Sequence, residues 1–183
     1  MSRTRECRFG NRCHGSYVST LECFEITRCN DTVSRLWIDA GAYIGFAKDG
    51  KRHGFGSQEY PPSSWIRSYV GFWENDVPSG FGRLDYADGS FYIGDVIRRQ
   101  AHGFGKHFWP GGILAYEGFW KNHLCDGKGR NYLDISGFLN YVGEFKDNRF
   151  HGHGVRFDSI GDDMQRVEGV FENNVPNGPV EIF

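Results

Sequence analysis

The chain of 183 residues lacks a long hydrophobic run, an apolar leader and a strong net charge. No stretch approaches the roughly 18 consecutive apolar residues that mark a membrane-spanning helix. Its first ten residues, MSRTRECRFG, have no apolar segment after the basic residues, so we expect no secretory signal and a cytoplasmic location. The net charge of −2 and the sequence pI near 6.4 argue against a general nucleic-acid-binding protein.

Cysteine is scarce and unevenly placed. Four of the five cysteines lie near the N-terminus, at Cys7, Cys13, Cys23 and Cys29, and Cys125 stands alone. An odd number without a signal peptide predicts reduced thiols. The stretch CRFGNRC resembles the middle of a CCCH zinc finger, which makes the first four cysteines the candidate metal ligands, but Tyr17 stands at the histidine position. The favoured interpretation is reduced thiols, with no metal or other cofactor.

Glycine and aromatic residues are abundant. The chain holds 26 glycines, and 16% of its residues are aromatic. Together these residue types indicate many strands and turns rather than helices. The length fits a single domain with a sizeable core.

A Tyr-x-Gly triplet recurs along the chain. The triplets begin at Tyr43, Tyr69, Tyr92, Tyr116 and Tyr141, and a degenerate sixth begins at Val167. Another glycine follows eleven residues after each start, at Gly54, Gly80, Gly103, Gly127, Gly152 and Gly178. The distance from one start to the next varies from 23 to 26 residues. Each unit thus has a part of constant length, which predicts a β-hairpin, followed by a part of variable length, which predicts a connection that tolerates insertion.

The stretch YVGEFKDNRFHGHG, residues 141–154, resembles a site because it combines two histidines with charged residues and glycines. In the repeat frame, however, the residue before the second glycine is His53, Ser79, His102, Asp126, His151 or Asn177. These types tolerate turn geometry, so we predict a turn position rather than a site. Equivalent positions in adjacent hairpins lie about 10 Å apart, too far for two of them to bind one zinc ion. HGFG is similar to a lipase oxyanion loop, but the chain has no Gly-x-Ser-x-Gly elbow, and we predict no catalytic residues.

A unit of Tyr-x-Gly-x-(Phe/Trp), a turn and His-Gly-x-Gly resembles the MORN repeat. Six such units, starting at residues 43, 69, 92, 116, 141 and 167, fill residues 41–183 and follow a non-repeat segment, residues 1–40. Units 1, 3 and 5 carry the full His-Gly-x-Gly, and the degenerate last unit suits a terminal cap. The resemblance implies an all-β fold, an elongated, twisted, single-layer antiparallel sheet of consecutive hairpins. It also implies a non-catalytic scaffold or protein–protein interaction module.

The signature residues are expected to be structural, with aromatic rings packed over glycines on one face of the sheet. They are Tyr43, Gly45, Gly54, Gly56, Tyr69, Gly71, Trp73, Gly80, Gly82, Tyr92, Gly94, Gly103, Gly105, Tyr116, Gly118, Trp120, Gly127, Gly129, Tyr141, Gly143, Phe145, Gly152, Gly154, Gly169, Phe171 and Gly178.

The opposite face is expected to be apolar in units 1 to 3 and mixed in units 4 to 6. Its predicted partner-binding residues are Ile44, Phe46, Phe55, Val70, Phe72, Phe81, Ile93 and Phe104. An apolar patch of this size usually marks a contact. Two coverings are available: residues 21–38 of this chain, which we predict to pack on units 1 and 2, and an unidentified protein partner.

Two further expectations concern other contacts. Basic residues in the turns, namely Lys48, Lys51, Arg52, Arg98, Arg99, Lys146 and Arg149, suggest a weak contact with anionic lipid. Each cluster holds two or three cations, whereas polybasic membrane anchors usually hold about four to eight, so the protein partner is preferred. Pro179 blunts the last strand edge, and a homodimer through the terminal hairpins is expected if that edge still pairs.

Overall fold

The computed structural model describes residues 32–38, 41–133, 137–160 and 163–183. They form one antiparallel sheet of thirteen strands whose spatial order is the chain order. The strands are β1 (Thr32–Ile38), β2 (Gly41–Lys48), β3 (Lys51–Glu59), β4 (Ile66–Glu74), β5 (Val77–Tyr86), β6 (Phe91–Ile97), β7 (Gln100–Phe108), β8 (Leu114–Lys121), β9 (Leu124–Tyr132), β10 (Leu139–Lys146), β11 (Arg149–Ile160), β12 (Asp163–Glu172) and β13 (Val175–Ile182). The predicted all-β sheet of consecutive hairpins is confirmed. Within these ranges, no helix is long and apolar enough to cross a membrane.

Each unit forms one hairpin with a two-residue turn. Both turn residues have positive φ, for example 49° and 70° at Asn75 and Asp76, as type I′ turns require. The turns are residues 49–50, 75–76, 98–99, 122–123, 147–148 and 173–174. Because every unit begins with a strand of the same direction, all six turns lie along one long side of the sheet. The connections of variable length lie along the other side.

A β-bulge interrupts each hairpin beside the second glycine of the unit. The register shifts between Gly45 and Ala47 in unit 1 and at the corresponding place in the five other units. The left-handed residue is the glycine itself, with φ of 74° at Gly54, because a bulge of this kind needs positive φ. The prediction that the histidine before it occupies a turn is wrong, since His53 lies within β3.

The repeated tyrosines explain the glycines around them. Tyr43 is fully buried and lies across Gly45 and Gly56, where an added Cβ at Gly45 would come within 2.7 Å of the ring Cζ. Its hydroxyl donates a hydrogen bond of 2.8 Å to the carbonyl of Phe46, a residue that the bulge removes from pairing with β3. The same bond to the carbonyl three residues on recurs at Tyr69, Tyr92, Tyr116 and Tyr141.

The core consists of two aromatic clusters on this signature face, the side of the sheet that carries the tyrosines and glycines. In the first cluster, the indole of Trp73 lies edge-on between Tyr43 and Tyr69, with ring centroids 5.3 Å from each. In the second, Phe145 and Phe171 pack edge-on against the ring of Tyr141. Aromatic packing between neighbouring hairpins therefore joins the units.

The N-terminal part of the described chain differs from expectation. Strand β1 pairs with β2 from Thr32 opposite Ala47 to Ile38 opposite Gly41, so residues 32–38 extend the sheet at its edge instead of covering its face. Without β1, the strand β2 would be the edge of the sheet, and its unpaired N–H and C=O groups are available to pair with another strand. Residues 21–31, the rest of the predicted covering segment, and the four N-terminal cysteines lie outside the described residues.

Candidate functional site

The variable face, the side of the sheet opposite the tyrosines, carries a line of phenylalanines from β2 to β8. In strand order this line holds Phe46, Phe55, Phe72, Phe81, Asp95, Phe104 and Phe119. We call its six aromatic members the phenylalanine row. Their exposed fractions run from 38% at Phe46 to 59% at Phe81. The row therefore presents a large apolar surface on one side of a single-layer sheet.

Neighbouring rings in the phenylalanine row support one another. Phe55 and Phe72 face each other across β3 and β4 with an edge-to-face contact of 5.6 Å, and Phe104 and Phe119 repeat it across β7 and β8. Such pairs are worth about 0.5–1.5 kcal/mol beyond their buried area. The rings are thus held in place although half of each remains open to solvent.

The predicted partner-binding residues all lie on the variable face, but with unequal exposure. Ile44 is 46% exposed and lies beside the phenylalanine row, whereas Val70 and Ile93 are partly buried. Sequence reasoning missed Phe119 because it assigned unit 4 to the mixed part. Pairing Gly105 with Gly118 across β7 and β8 would have placed Phe119 opposite Phe104.

Asp95 is the polar interruption of the row. Its carboxylate accepts a hydrogen bond of 3.1 Å from the backbone N–H of Phe104, beside the bulge at Gly103. Asp95 thus satisfies a backbone donor at the position where the other units of this stretch place a phenylalanine.

A second line on the variable face runs beside the phenylalanine row and brings positive charge to its border. In strand order this line holds Ile44, Ser57, Val70, Arg83, Ile93, Lys106, Glu117 and Arg130. Lys106 pairs with Glu117 at 3.0 Å, and Arg83 pairs with Asp85 at 2.6 Å. Both of these cations are thus paired within the chain, and Arg130 adds a further positive charge at the end of the line.

Several of the basic turn residues are engaged within the chain. Arg52 pairs with Asp76 at 3.1 Å, and its guanidinium lies 4.4 Å from the centroid of Trp73. Arg99 lies over the ring of Tyr60, and Arg149 donates a hydrogen bond of 3.0 Å to the Asn173 side chain. Because these side chains are engaged within the chain, fewer turn cations are free to bind anionic lipid.

In units 2, 4, 5 and 6 the second residue of the turn connects its unit to the preceding one. Its side chain accepts a hydrogen bond from a backbone N–H of the preceding hairpin, in the pairs Asp76–Arg52, His123–Ala101, Asn148–Cys125 and Asn174–Phe150. We call this bond the inter-repeat latch. Unit 3 has Arg99 at the turn position, where the preceding hairpin presents Pro78, which has no N–H to donate. Sequence reasoning missed the latch, although the Asp, His and Asn residues at this position were its signal.

Burial disfavours the charged forms of three described side chains, Cys125, His107 and His123. Burial raises the pKa of the Cys125 thiol to about 12, so the thiol is protonated at neutral pH, the reverse of a catalytic cysteine. Burial lowers the pKa of His107 and of His123, which favours their neutral forms. Among the described residues, no group of three or more His, Cys, Asp or Glu side chains is placed to hold a metal ion.

The family model described as "MORN repeat" matches residues 43–64, 69–91, 92–113, 116–130 and 141–162. These segments are five of the six units, and the hairpin of β12 and β13 lies outside them. The chain is also similar to alsin from Rattus norvegicus and Mus musculus, each 31% identical over 90 residues, and from Homo sapiens, 30% identical over the same length. The similarity covers 48% of this chain but only about 5–6% of alsin.

Proposed function

This chain belongs to the MORN-repeat family, and we propose that it is a non-catalytic interaction module whose variable face binds a partner protein. The phenylalanine row carries this proposal. Six half-exposed rings along one line are far more than the scattered apolar residues of an ordinary surface. Covering them releases about 25 cal/mol for each Å² of apolar surface removed from water.

The dimensions and charges of the row suggest the chemistry of the partner. Six strand spacings from β2 to β8 give a length of about 29 Å, which suits a helix of roughly 19 residues. On the border of the row, Arg83 and Lys106 are paired with Asp85 and Glu117, and Arg130 lies beyond Glu117. The expected partner segment therefore has an apolar stripe, with an acidic side chain near the position of Arg130.

The test compares the native chain with the double variant Phe55→Thr/Phe72→Thr. Threonine keeps the strand propensity, and both rings are half exposed, so the fold should persist. Val170→Thr is the matched control, because Val170 is also exposed on the variable face but lies outside the row. A partner identified with the native chain should bind the control equally and the double variant at least about tenfold more weakly. Equal binding by all three proteins would refute the row as the binding surface.

Anionic lipid is the competing ligand for this module. We expect the protein to bind phosphatidylserine vesicles weakly at low salt and to dissociate from them at physiological salt. At that salt concentration, the attraction between exposed charges is screened beyond about 8 Å. The measurement is co-sedimentation, with phosphatidylcholine vesicles and the variant Lys48→Glu/Lys51→Glu as controls. Binding that survives physiological salt and disappears in this variant would replace the protein-partner proposal with a membrane one.

A further inference from the structure

The signature face carries a groove of about 780 Å³, on the side of the sheet opposite the phenylalanine row. Trp65 and Trp109 from the connections and Tyr86 at the end of β5 line this groove, together with Trp120 and Phe145. Its volume is typical of ligand sites. The proposed partner surface does not include it, and the sequence did not predict it.

The groove is lined by aromatic rings in mutual contact. Trp65 is stacked on Tyr86, with centroids 5.5 Å apart and planes 8° apart, and also touches His123 edge-on. His107 and Trp109 make a second edge-on contact at 5.7 Å. Tyr86 covers one face of the Trp65 indole, but Trp65 is still 58% exposed and Trp109 38% exposed, so part of each ring can contact a ligand.

The charge of the groove is negative. Its lining residues include Asp88 and no lysine or arginine. Hydrogen bonds of 2.6 Å from the Ser90 hydroxyl and 2.9 Å from its backbone N–H lower the pKa of Asp88, so this carboxylate is ionised at neutral pH. A cationic ligand therefore has both a charge partner and ring faces here.

The chain itself shows which cation fits such rings. Trp73 and Trp120 occupy equivalent positions, four residues after Tyr69 and Tyr116. The guanidinium of Arg52 lies 4.4 Å from the Trp73 centroid and leaves Trp73 only 3% exposed. The residue equivalent to Arg52 in the hairpin before Trp120 is alanine, at position 101, and Trp120 stays partly exposed in the groove.

Arginine also covers rings elsewhere in the sheet. Arg83 lies 4.0 Å from the centroid of Phe91, and Arg99 lies 5.6 Å from that of Tyr60. In the part of the chain that the structure describes, no arginine or lysine makes such a contact with Trp65, Trp109 or Trp120. Trp120, at the position equivalent to Trp73, therefore lacks the arginine that covers Trp73, and Trp65 and Trp109 lie beside it in the lining of the groove.

We propose that the groove binds an arginine side chain of a partner peptide, with the guanidinium stacked on the indoles and paired with Asp88. Tryptophan gives the strongest cation–π attraction among the aromatic side chains. A planar guanidinium stacks on rings and bonds a carboxylate through two N–H groups, which a compact ammonium group does not do. The groove therefore prefers arginine to lysine.

The test follows the indole N–H signals of the full chain by NMR during titration with Nα-acetyl-arginine amide. Nα-acetyl-citrulline amide is the control ligand, because it has nearly the same shape without the charge. We expect saturable shifts at Trp65, Trp109 and Trp120, with arginine binding roughly tenfold tighter than citrulline. The indole of Trp73 is an internal reference that should not shift, since Arg52 already covers it.

Variants separate the groove from the opposite face. Asp88→Asn keeps an acceptor for the Ser90 bonds but removes the charge, and should weaken arginine binding at least about threefold. Phe55→Thr/Phe72→Thr should leave arginine binding unchanged, so this proposal and the proposed partner surface can fail separately. Equal binding of citrulline and arginine, an unchanged affinity in Asp88→Asn, or shifts equally large at Trp73 would each overturn the proposal.

Discussion

The contact between a tyrosine ring and two glycines is the structural unit that every complete repeat shares. The ring fills the space that the absent side chains leave, and its hydroxyl bonds the carbonyl that the bulge exposes. Tyr141, for example, covers Gly143 and Gly154. The signature is therefore a packing requirement, and each of its members depends on the others.

Adding one methyl group under a tyrosine should disrupt this contact. In Gly154→Ala the new Cβ overlaps the hydroxyl and Cζ of Tyr141 and lies 2.6 Å from Cε2, and the ring is fully buried. We expect a loss of about 3 kcal/mol in the free energy of unfolding, measured by urea denaturation. Gly169→Ala is the matched control, because unit 6 has Val167 in place of tyrosine and the nearest atom is 3.0 Å away. Equal losses in the two variants would contradict the packing explanation.

The buried tyrosines should also make the fold sensitive to alkali. Burial raises the pKa of Tyr43 and of Tyr141 to about 12, and raises those of Tyr69, Tyr92 and Tyr116 as well. In the unfolded chain these groups titrate near pH 10. The unfolded state therefore releases its protons first, so the stability is complete below pH 10 and is lost as the pH rises toward 12.

Urea midpoints measured between pH 9.5 and 11 test this prediction. Each buried tyrosine should lower the free energy of unfolding by about 1.4 kcal/mol for every pH unit above pH 10. A Cys125→Ser background removes a thiol whose pKa burial also raises to about 12. In that background Tyr141→Phe should show a shallower decline, since one titrating group is gone. A midpoint that stays constant across this range would disprove the expected linkage.

At the scale of the hairpin, the inter-repeat latch fixes the turn of one hairpin on the preceding hairpin. Asp76→Gly removes the carboxylate that accepts a hydrogen bond from the backbone N–H of Arg52 and that pairs with its guanidinium. Glycine keeps the positive φ of the turn, so only the side-chain contacts are lost. We expect thermal and urea denaturation to show a loss of about 1–3 kcal/mol.

The neighbouring turn residue provides the control for this prediction. Asn75 also has positive φ, at 49°, but makes no such bond to the preceding hairpin. Asn75→Gly should change the stability by less than about 0.5 kcal/mol. If the two glycine variants were equally stable, the latch would contribute nothing.

The sequence predicted the hairpins because the distance from each tyrosine to its second glycine is constant. It could not locate the bulge, since a glycine at φ of 74° and one in ordinary strand geometry look identical in a sequence. It also missed β1, which has no repeat signature and joins the sheet by pairing with β2. The groove was hidden for a different reason: Trp65 and Trp109 lie 44 residues apart in variable connections, and only the fold brings them together.

At the scale of the molecule, the two faces have different surfaces for binding. The phenylalanine row is apolar with a basic border, whereas the groove on the signature face is aromatic with a carboxylate. Ligands on opposite faces of one sheet do not compete for space. Together the two proposals describe a scaffold that would hold two segments at once.

The open edge at β13 bears on oligomeric state. Pro176 and Pro179 each lack an N–H group, which limits the pairing of this edge with a second copy. The dimer through terminal hairpins stays a prediction for the case in which the edge still pairs. Sedimentation velocity over a hundredfold concentration range tests it, and Val180→Pro, which adds another break, should abolish any dimer formed in this way. A dimer that persists in this variant would exclude pairing through β13.

Because each strand pairs only with its neighbours in the chain, stability should depend on nearest-neighbour contacts. Deleting residues 163–183 removes Phe171 from the second aromatic cluster and uncovers Tyr141 and Phe150. Amide hydrogen exchange in β10 and β11 should then accelerate at least about tenfold. Exchange in β4 to β6 should stay within about threefold of the native chain, because the first cluster keeps its partners. A uniform acceleration along the whole sheet would instead show that the six hairpins unfold as one cooperative unit.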